Sequence, residues 1–186
     1  MAKVSSAFQA YKVFATPEKS ALSRKDFDIA VKHGVKRYED SVKAGFRPRL
    51  GGGPAPHIVG AAGEVVVERL GRLAGVGWDM TPFRDSYRTR PSHYDFEAGG
   101  WKIDLKTKYT EREPSHVLVP IAQLENGAAD IFLFAKIRID IKLLGFLWQG
   151  DVKRYGEVNH DLPLPAYEIR ITRLRPVRNF WEVLRR

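Results

Sequence analysis

Residues 101–109, Trp-Lys-Ile-Asp-Leu-Lys-Thr-Lys-Tyr, restrict the fold more than any other stretch, because apolar or bulky residues alternate there with charged ones without a break. A period of two is the pattern of a strand with different faces. Trp101, Ile103, Leu105 and Thr107 fall on one face, and Lys102, Asp104, Lys106 and Lys108 on the other. Gly99-Gly100 just ahead is a tight-turn signal, and residues 93–97 read as the preceding strand, so a hairpin is predicted. Antiparallel pairing across that turn brings Asp95 alongside Asp104. Asp104 and Lys106 emerge on one face about 7 Å apart along the strand. A solvated sheet face would carry the same row of charges.

Other segments supply the surrounding elements. Ser23-Arg24-Lys25-Asp26 resembles a capping box, and Phe27, Val31, Val35, Tyr38 and Val42 recur at helical spacing up to Gly45. Thr16-Pro17-Glu18 reads as the start of another short helix. Gly-Gly-Gly-Pro-Ala-Pro at 51–56 is the main breaker cluster, and no Gly-Lys-Ser/Thr follows it as a phosphate loop would require. A basic helical N-terminal extension (1–50), a linker (51–56) and a core (57–186) are therefore expected. Within the core, a helix is predicted from Ile58 to Leu73 with Ile58, Ala62, Val65, Val66, Leu70 and Leu73 as its apolar face. Glu64 lies away from that stripe. Small or apolar neighbours there, Gly60, Ala61, Val67 and Gly71, suggest a helix buried on two sides, with Glu64 an unusually placed carboxylate.

Further strands are expected at 76–80, 117–119, 129–139, 143–149 and 167–174, with a short helix at 120–126 and a closing helix at 177–184. The run Ala-Asp-Ile-Phe-Leu-Phe-Ala-Lys-Ile-Arg-Ile is apolar enough for the middle of a sheet. The fold class is thus α/β, with a central mixed β-sheet flanked by helices.

At 186 residues the chain suits one domain, and its 44% hydrophobic content is that of an ordinary folded protein. It has 31 Lys and Arg against 22 Asp and Glu, a net charge of +9, which favours polyanionic partners. The excess lies at the ends: residues 1–50 and 165–186 are strongly basic, while the middle is nearly balanced. The absence of cysteine excludes disulfides, zinc ribbons and thiol catalysis. No secretory h-region or membrane-spanning stretch is present, so a cytoplasmic protein without membrane partners is expected.

An acidic cluster inside a basic frame suits phosphodiester chemistry. Mg²⁺ takes hard oxygen ligands, and a nearby lysine can orient or deprotonate an attacking water while offsetting negative charge. Glu64, Asp95, Asp104 and Lys106 together resemble the centre of the PD-(D/E)XK nucleases, whose core runs helix, three-strand meander, helix, strand. In that family a glutamate comes from the first helix, an aspartate from the second strand, and an acid-x-lysine pair from the third. The resemblance covers about residues 57–150, although Tyr94 stands where the family often has proline before the aspartate. It implies a restriction-endonuclease-like core and a Mg²⁺-dependent endodeoxyribonuclease acting on duplex or branched DNA. Glu64, Asp95 and Asp104 would bind Mg²⁺, or Mn²⁺ in its place, with Lys106 at the nucleophilic water. A homodimer is expected of a small nuclease cutting both strands. The alternative is a nucleic-acid-binding protein that keeps the fold without cutting.

Arg84, Arg88 and Arg90, interleaved with Phe83 and Tyr87, are candidate phosphate contacts together with Lys108. His93 reads as a polar neighbour of the site and Gln123 as a surface amide. His33, His57, His116 and His160 lie apart without zinc-ligand spacing. Trp148 and Trp181 read as core.

Overall fold

A computed structural model describes residues 19–43, 45, 53–79, 94–127, 129–138 and 140–185. The expected contacts Arg84, Arg88, Arg90 and the neighbour His93 lie outside the described residues.

Two strands at the centre organise the molecule. β3 (Trp101–Tyr109) and β5 (Ile131–Ile137) run parallel, with Asp104 paired to Phe132 and Lys106 to Phe134. β5 is buried along nearly its whole length, as its continuous apolar run requires. Antiparallel β6 (Asp140–Trp148) flanks it, and β1 (Lys19–Ala21) pairs outside β6. β2 (Phe96–Ala98) closes the other edge, giving the order β1-β6-β5-β3-β2. The protein is therefore a mixed α/β structure with a mixed sheet flanked by helices.

The N-terminal segment differs from expectation. Lys19–Ala21, where a short helix opening at Thr16 would continue, is instead an edge strand. α1 (Arg24–Lys43) begins at the predicted capping box: the Ser23 N–H donates to Asp26 Oδ2 at 2.9 Å and the Asp26 N–H to Ser23 Oγ at 3.1 Å. Its buried residues, however, are Ala30, Gly34 and Arg37, while Phe27 and Val42 of the predicted stripe are exposed. Close helix packing selects the small face. A Cβ on Gly34 would come within 2.5 Å of the Ile58 backbone, so glycine there lets α2 (Ala55–Leu73) lie close against α1.

α2 buries Ala61, Ala62, Gly63, Glu64, Val66, Val67, Leu70 and Gly71, which is the two-sided burial predicted, whereas Leu73 is exposed. After α2 the predicted strand at 76–80 is reduced, among its described residues, to a single bridge between Asp79 and Glu97. Asp79 and Glu97 exchange backbone hydrogen bonds of 2.8 and 3.1 Å.

The later strands divide into a second sheet instead of extending the first. β4 (His116–Pro120), β7 (Glu157–Asn159) and β8 (Ala166–Arg170) form a separate three-stranded antiparallel sheet in the order β4-β8-β7. The strand expected at 167–174 is cut short by a 3₁₀ turn at Ile171–Arg173. α3 (Ile121–Glu125) and α5 (Val177–Leu184) fall where predicted; α4 (Gln149–Tyr155) and β7 do not follow from the sequence pattern.

The two sheets account for two cores. α2 and α5 pack on one face of the main sheet through Val66, Leu70, Ile103, Leu105, Ile131, Leu133, Phe180 and Trp181. Phe132, Phe134 and Leu147 point the other way and meet Val117, Val119, Leu124 and Ile169. Trp181 is buried and Trp148 partly so, stacked edge-on with Trp101 at 4.8 Å between ring centroids. Among the described residues no helix is long and apolar enough to cross a membrane.

Candidate active site

The hairpin positions the first pair of carboxylates. Gly99 and Gly100 have φ of +57° and +78°, the conformation of a two-residue turn that L side chains rarely adopt, and it matches the twist of the strands it joins. Phe96 pairs with Ile103, and the Asp95 N–H donates to the Ile103 carbonyl at 2.8 Å. One step further along that register stands Asp95 opposite Asp104. Asp95 Oδ2 accepts the Leu105 N–H at 2.7 Å, which fixes its carboxylate beside β3.

Strand alternation positions the second pair. Asp104 is buried, and Lys106 Nζ donates to its Oδ1. The lysine is largely covered, with its ammonium 5.9 Å from the centre of the Phe132 ring. The face of Asp104 and Lys106 is therefore not the solvated row of charges that alternation also allowed. Lys102 and Lys108 on that face are exposed.

Glu64 arrives from the helical layer. Gly63 makes this possible: a Cβ there would lie 2.0 Å from Thr107 Oγ1, so only glycine lets α2 press this closely on β3. Glu64 is only 3% exposed, and Arg37 of α1 grips both its oxygens, Nη1 donating to Oε1 at 2.6 Å and Nη2 to Oε2. This forked geometry is the strong form of an arginine–carboxylate pair. Arg37 escaped the sequence reading. Its only trace is the spacing Ala30, Gly34, Arg37, two small residues and an arginine on one helical face.

The structure brings the four predicted residues close enough to influence one another's charge. Burial pushes the Glu64 carboxyl up; the Arg37 hydrogen bond and charge pull it back, Asp104 raises it and Lys106 lowers it. Asp95 is held well above the usual carboxylate range, first by desolvation and then by the charges of Glu64 and Asp104, against the pull of Lys106 and the Leu105 N–H. Three carboxylates, Glu64 and Asp104 buried and Asp95 half-buried, thus feel one another, with Arg37 and Lys106 as the cations acting on them.

That balance bears on whether a metal fits. Three hard oxygen donors with incompletely offset negative charge have the chemistry of a site for a divalent cation such as Mg²⁺. Among the described residues, no three Asp, Glu or His side chains already stand as a ligand set; Glu64 is turned onto Arg37 and Asp104 onto Lys106. Gln123, expected as a surface amide, is half-buried, and its Oε1 is enclosed without a hydrogen-bond partner. His57 forms an edge contact with Tyr38, and burial and Arg37 lower its pKa.

No protein-family model matches the chain, and no curated protein matches it.

Proposed function

We propose that the chain is a metal-dependent nuclease that hydrolyses phosphodiester bonds in DNA, with a restriction-endonuclease-like core and its centre at Glu64, Asp95, Asp104 and Lys106. The observation that carries the proposal is that α2 and the hairpin bring three carboxylates together, two of them buried, with Arg37 and Lys106 as their cations, so that negative charge is in excess. A desolvated cluster with surplus negative charge favours binding of a further cation. The succession of α2, the Asp79 bridge, the β2–β3 hairpin, α3, and β5 parallel to β3 supports the same assignment, since it follows the helix, meander, helix, strand order of the PD-(D/E)XK nucleases.

A Mg²⁺ held by these carboxylates would supply charge neutralisation at the scissile phosphate and activation of the attacking water. The protein groups have distinct tasks. Asp95 and Asp104 would hold the cation from paired positions of one hairpin. Glu64 would hold it directly or through water, with Arg37 opposing the burial that raises its carboxyl. Lys106, its ammonium 5.9 Å from the Phe132 ring and donating to Asp104, would orient the water and offset the charge that builds on the phosphate. Duplex DNA is the first substrate, given the net charge of +9.

Incubation with supercoiled plasmid and branched DNA, in Mg²⁺ and in EDTA, tests this. Cleavage only with the metal, lost in Asp104→Ala and Lys106→Ala, is expected. Equal cleavage by both variants would sink the assignment, and salt-sensitive binding without any cleavage would leave a binding protein of the same fold.

A further inference from the structure

Beyond the carboxylate centre, the main sheet carries a row of like charges. In the strand registers Lys108 of β3 pairs with Lys136 of β5, Lys136 with Lys142 of β6, and Lys142 with Lys19 of β1. Four neighbouring strands thus place lysine at one level. Like charges directly opposite each other weaken a sheet, so the row calls for an anion. Alternation puts Lys108 on the same strand face as Asp104 and Lys106, and the rise along β3 places it about 13 Å from Asp104.

The protein supplies an anion of its own. Glu113 accepts from Lys136 Nζ at 2.8 Å through one oxygen and from Lys142 Nζ at 3.0 Å through the other. These two ammoniums, by hydrogen bond and charge, hold the Glu113 carboxyl below its ordinary pKa. One two-oxygen anion between two lysines is also how a backbone phosphate would be held. Beside it Thr110, Glu111, Lys136, Arg138, Asp140 and Lys142 line an open cleft of about 330 Å³. Glu113 is 44% exposed and held through these two lysines, so it can swing outward into solvent.

We propose that the lysine row is a track for the sugar–phosphate backbone of nucleic acid leading away from the carboxylate centre, and that Glu113 is a placeholder a phosphate displaces. The track rests on the nuclease reading for its choice of polyanion, but its binding is separable from cleavage. The backbone crosses the end of the sheet from Lys108 towards Lys142, and contributes affinity without sequence preference.

The test is the salt dependence of binding, measured by fluorescence anisotropy with a labelled duplex in EDTA, so that no turnover intervenes. Losing two phosphate contacts in Lys136→Gln/Lys142→Gln should make the slope of log affinity against log salt shallower by about 2. The charge-preserving Lys136→Arg/Lys142→Arg pair should keep the slope. Glu113→Gln should tighten binding by up to about fivefold, the worth of exposed ion pairs. A misfolded variant would not produce these opposite signs. An unchanged slope in the glutamine pair, or weaker binding by Glu113→Gln, overturns the track. If the slope shifts as expected but wild type fails to cut DNA in Mg²⁺, the track stands and the nuclease reading falls. If wild type cuts and the slope does not shift, only the track falls; a wild type that binds no nucleic acid overturns both.

Discussion

Replacing Arg37 with methionine keeps most of the side-chain volume and strands Glu64, which is 3% exposed, without the cation that grips both its oxygens. The stranded carboxylate can stay charged in a desolvated pocket or take up a proton. Protonation is the cheaper course. Burial already holds the Glu64 carboxyl above its ordinary value with Arg37 in place, and removing the guanidinium raises it further, so the added cost grows by about 1.4 kcal/mol per pH unit above the wild-type titration. The variant should lose up to about 3 kcal/mol at pH 7, the scale of breaking one side of a buried ion pair, and clearly less near pH 5.5. Urea denaturation at several pH values reads the loss directly. Adding Glu64→Gln should recover most of it and flatten the pH dependence. A loss that is the same at pH 5.5 and pH 7, or below about 1 kcal/mol throughout, would show that Glu64 does not depend on Arg37 for its charge.

Stability in EDTA should fall as pH rises from the ordinary carboxylate range through the raised value of Asp95. The folded state keeps that proton longer than the unfolded chain, so the stabilising contribution belongs to the acid side of the window. Thermal melting should show the trend, and Mg²⁺ should raise the melting temperature more at the alkaline end; a rise independent of pH would contradict the acidic cluster as the metal site. Gly63→Ala should cost about 1–3 kcal/mol by forcing α2 off Thr107, and a melting temperature within error of wild type would show that the close approach is not needed. Ser23→Ala should cost about 1 kcal/mol through loss of the α1 capping box, read by the same melts, with cleavage unaffected.

The hairpin, β5 and the Asp104–Lys106 face were legible because alternation, a glycine pair with φ > 0 and a continuous apolar run each have one backbone solution. The buried face of α1 was not. Ala30 and Gly34 carry almost no hydrophobic signal, yet their size is what lets α2 dock, while Phe27 and Val42 advertise a stripe that the fold leaves exposed. Tertiary packing overrode periodicity there. The division into two sheets was equally hidden: residues 167–174 alternate as a strand would, but alternation does not say which partner a strand takes. Arg37 was missed because its partner lies 27 residues away across a glycine-proline segment, and no local pattern encodes such a pairing.

Of the candidate site, Asp104 and Lys106 follow from local sequence alone, Asp95 needs the turn between the strands, and Glu64 needs a helix that only Gly63 allows so near. That order reflects how many long-range contacts each position depends on. The expected arginine contacts at 84, 88 and 90 lie outside the described residues, whereas Lys108 stands exposed at the head of the lysine row.

The central claim is that one cluster both holds a divalent cation and uses Lys106 for the chemistry. It is tested most directly by titrating Mg²⁺ calorimetrically into wild type, Asp104→Asn and Lys106→Ala, and assaying DNA cleavage on the same preparations. Asp104→Asn should lose metal affinity and cleavage together, while Lys106→Ala should keep the affinity and lose cleavage by about a hundredfold or more. Undiminished metal affinity in Asp104→Asn, or undiminished cleavage in Lys106→Ala, would contradict it.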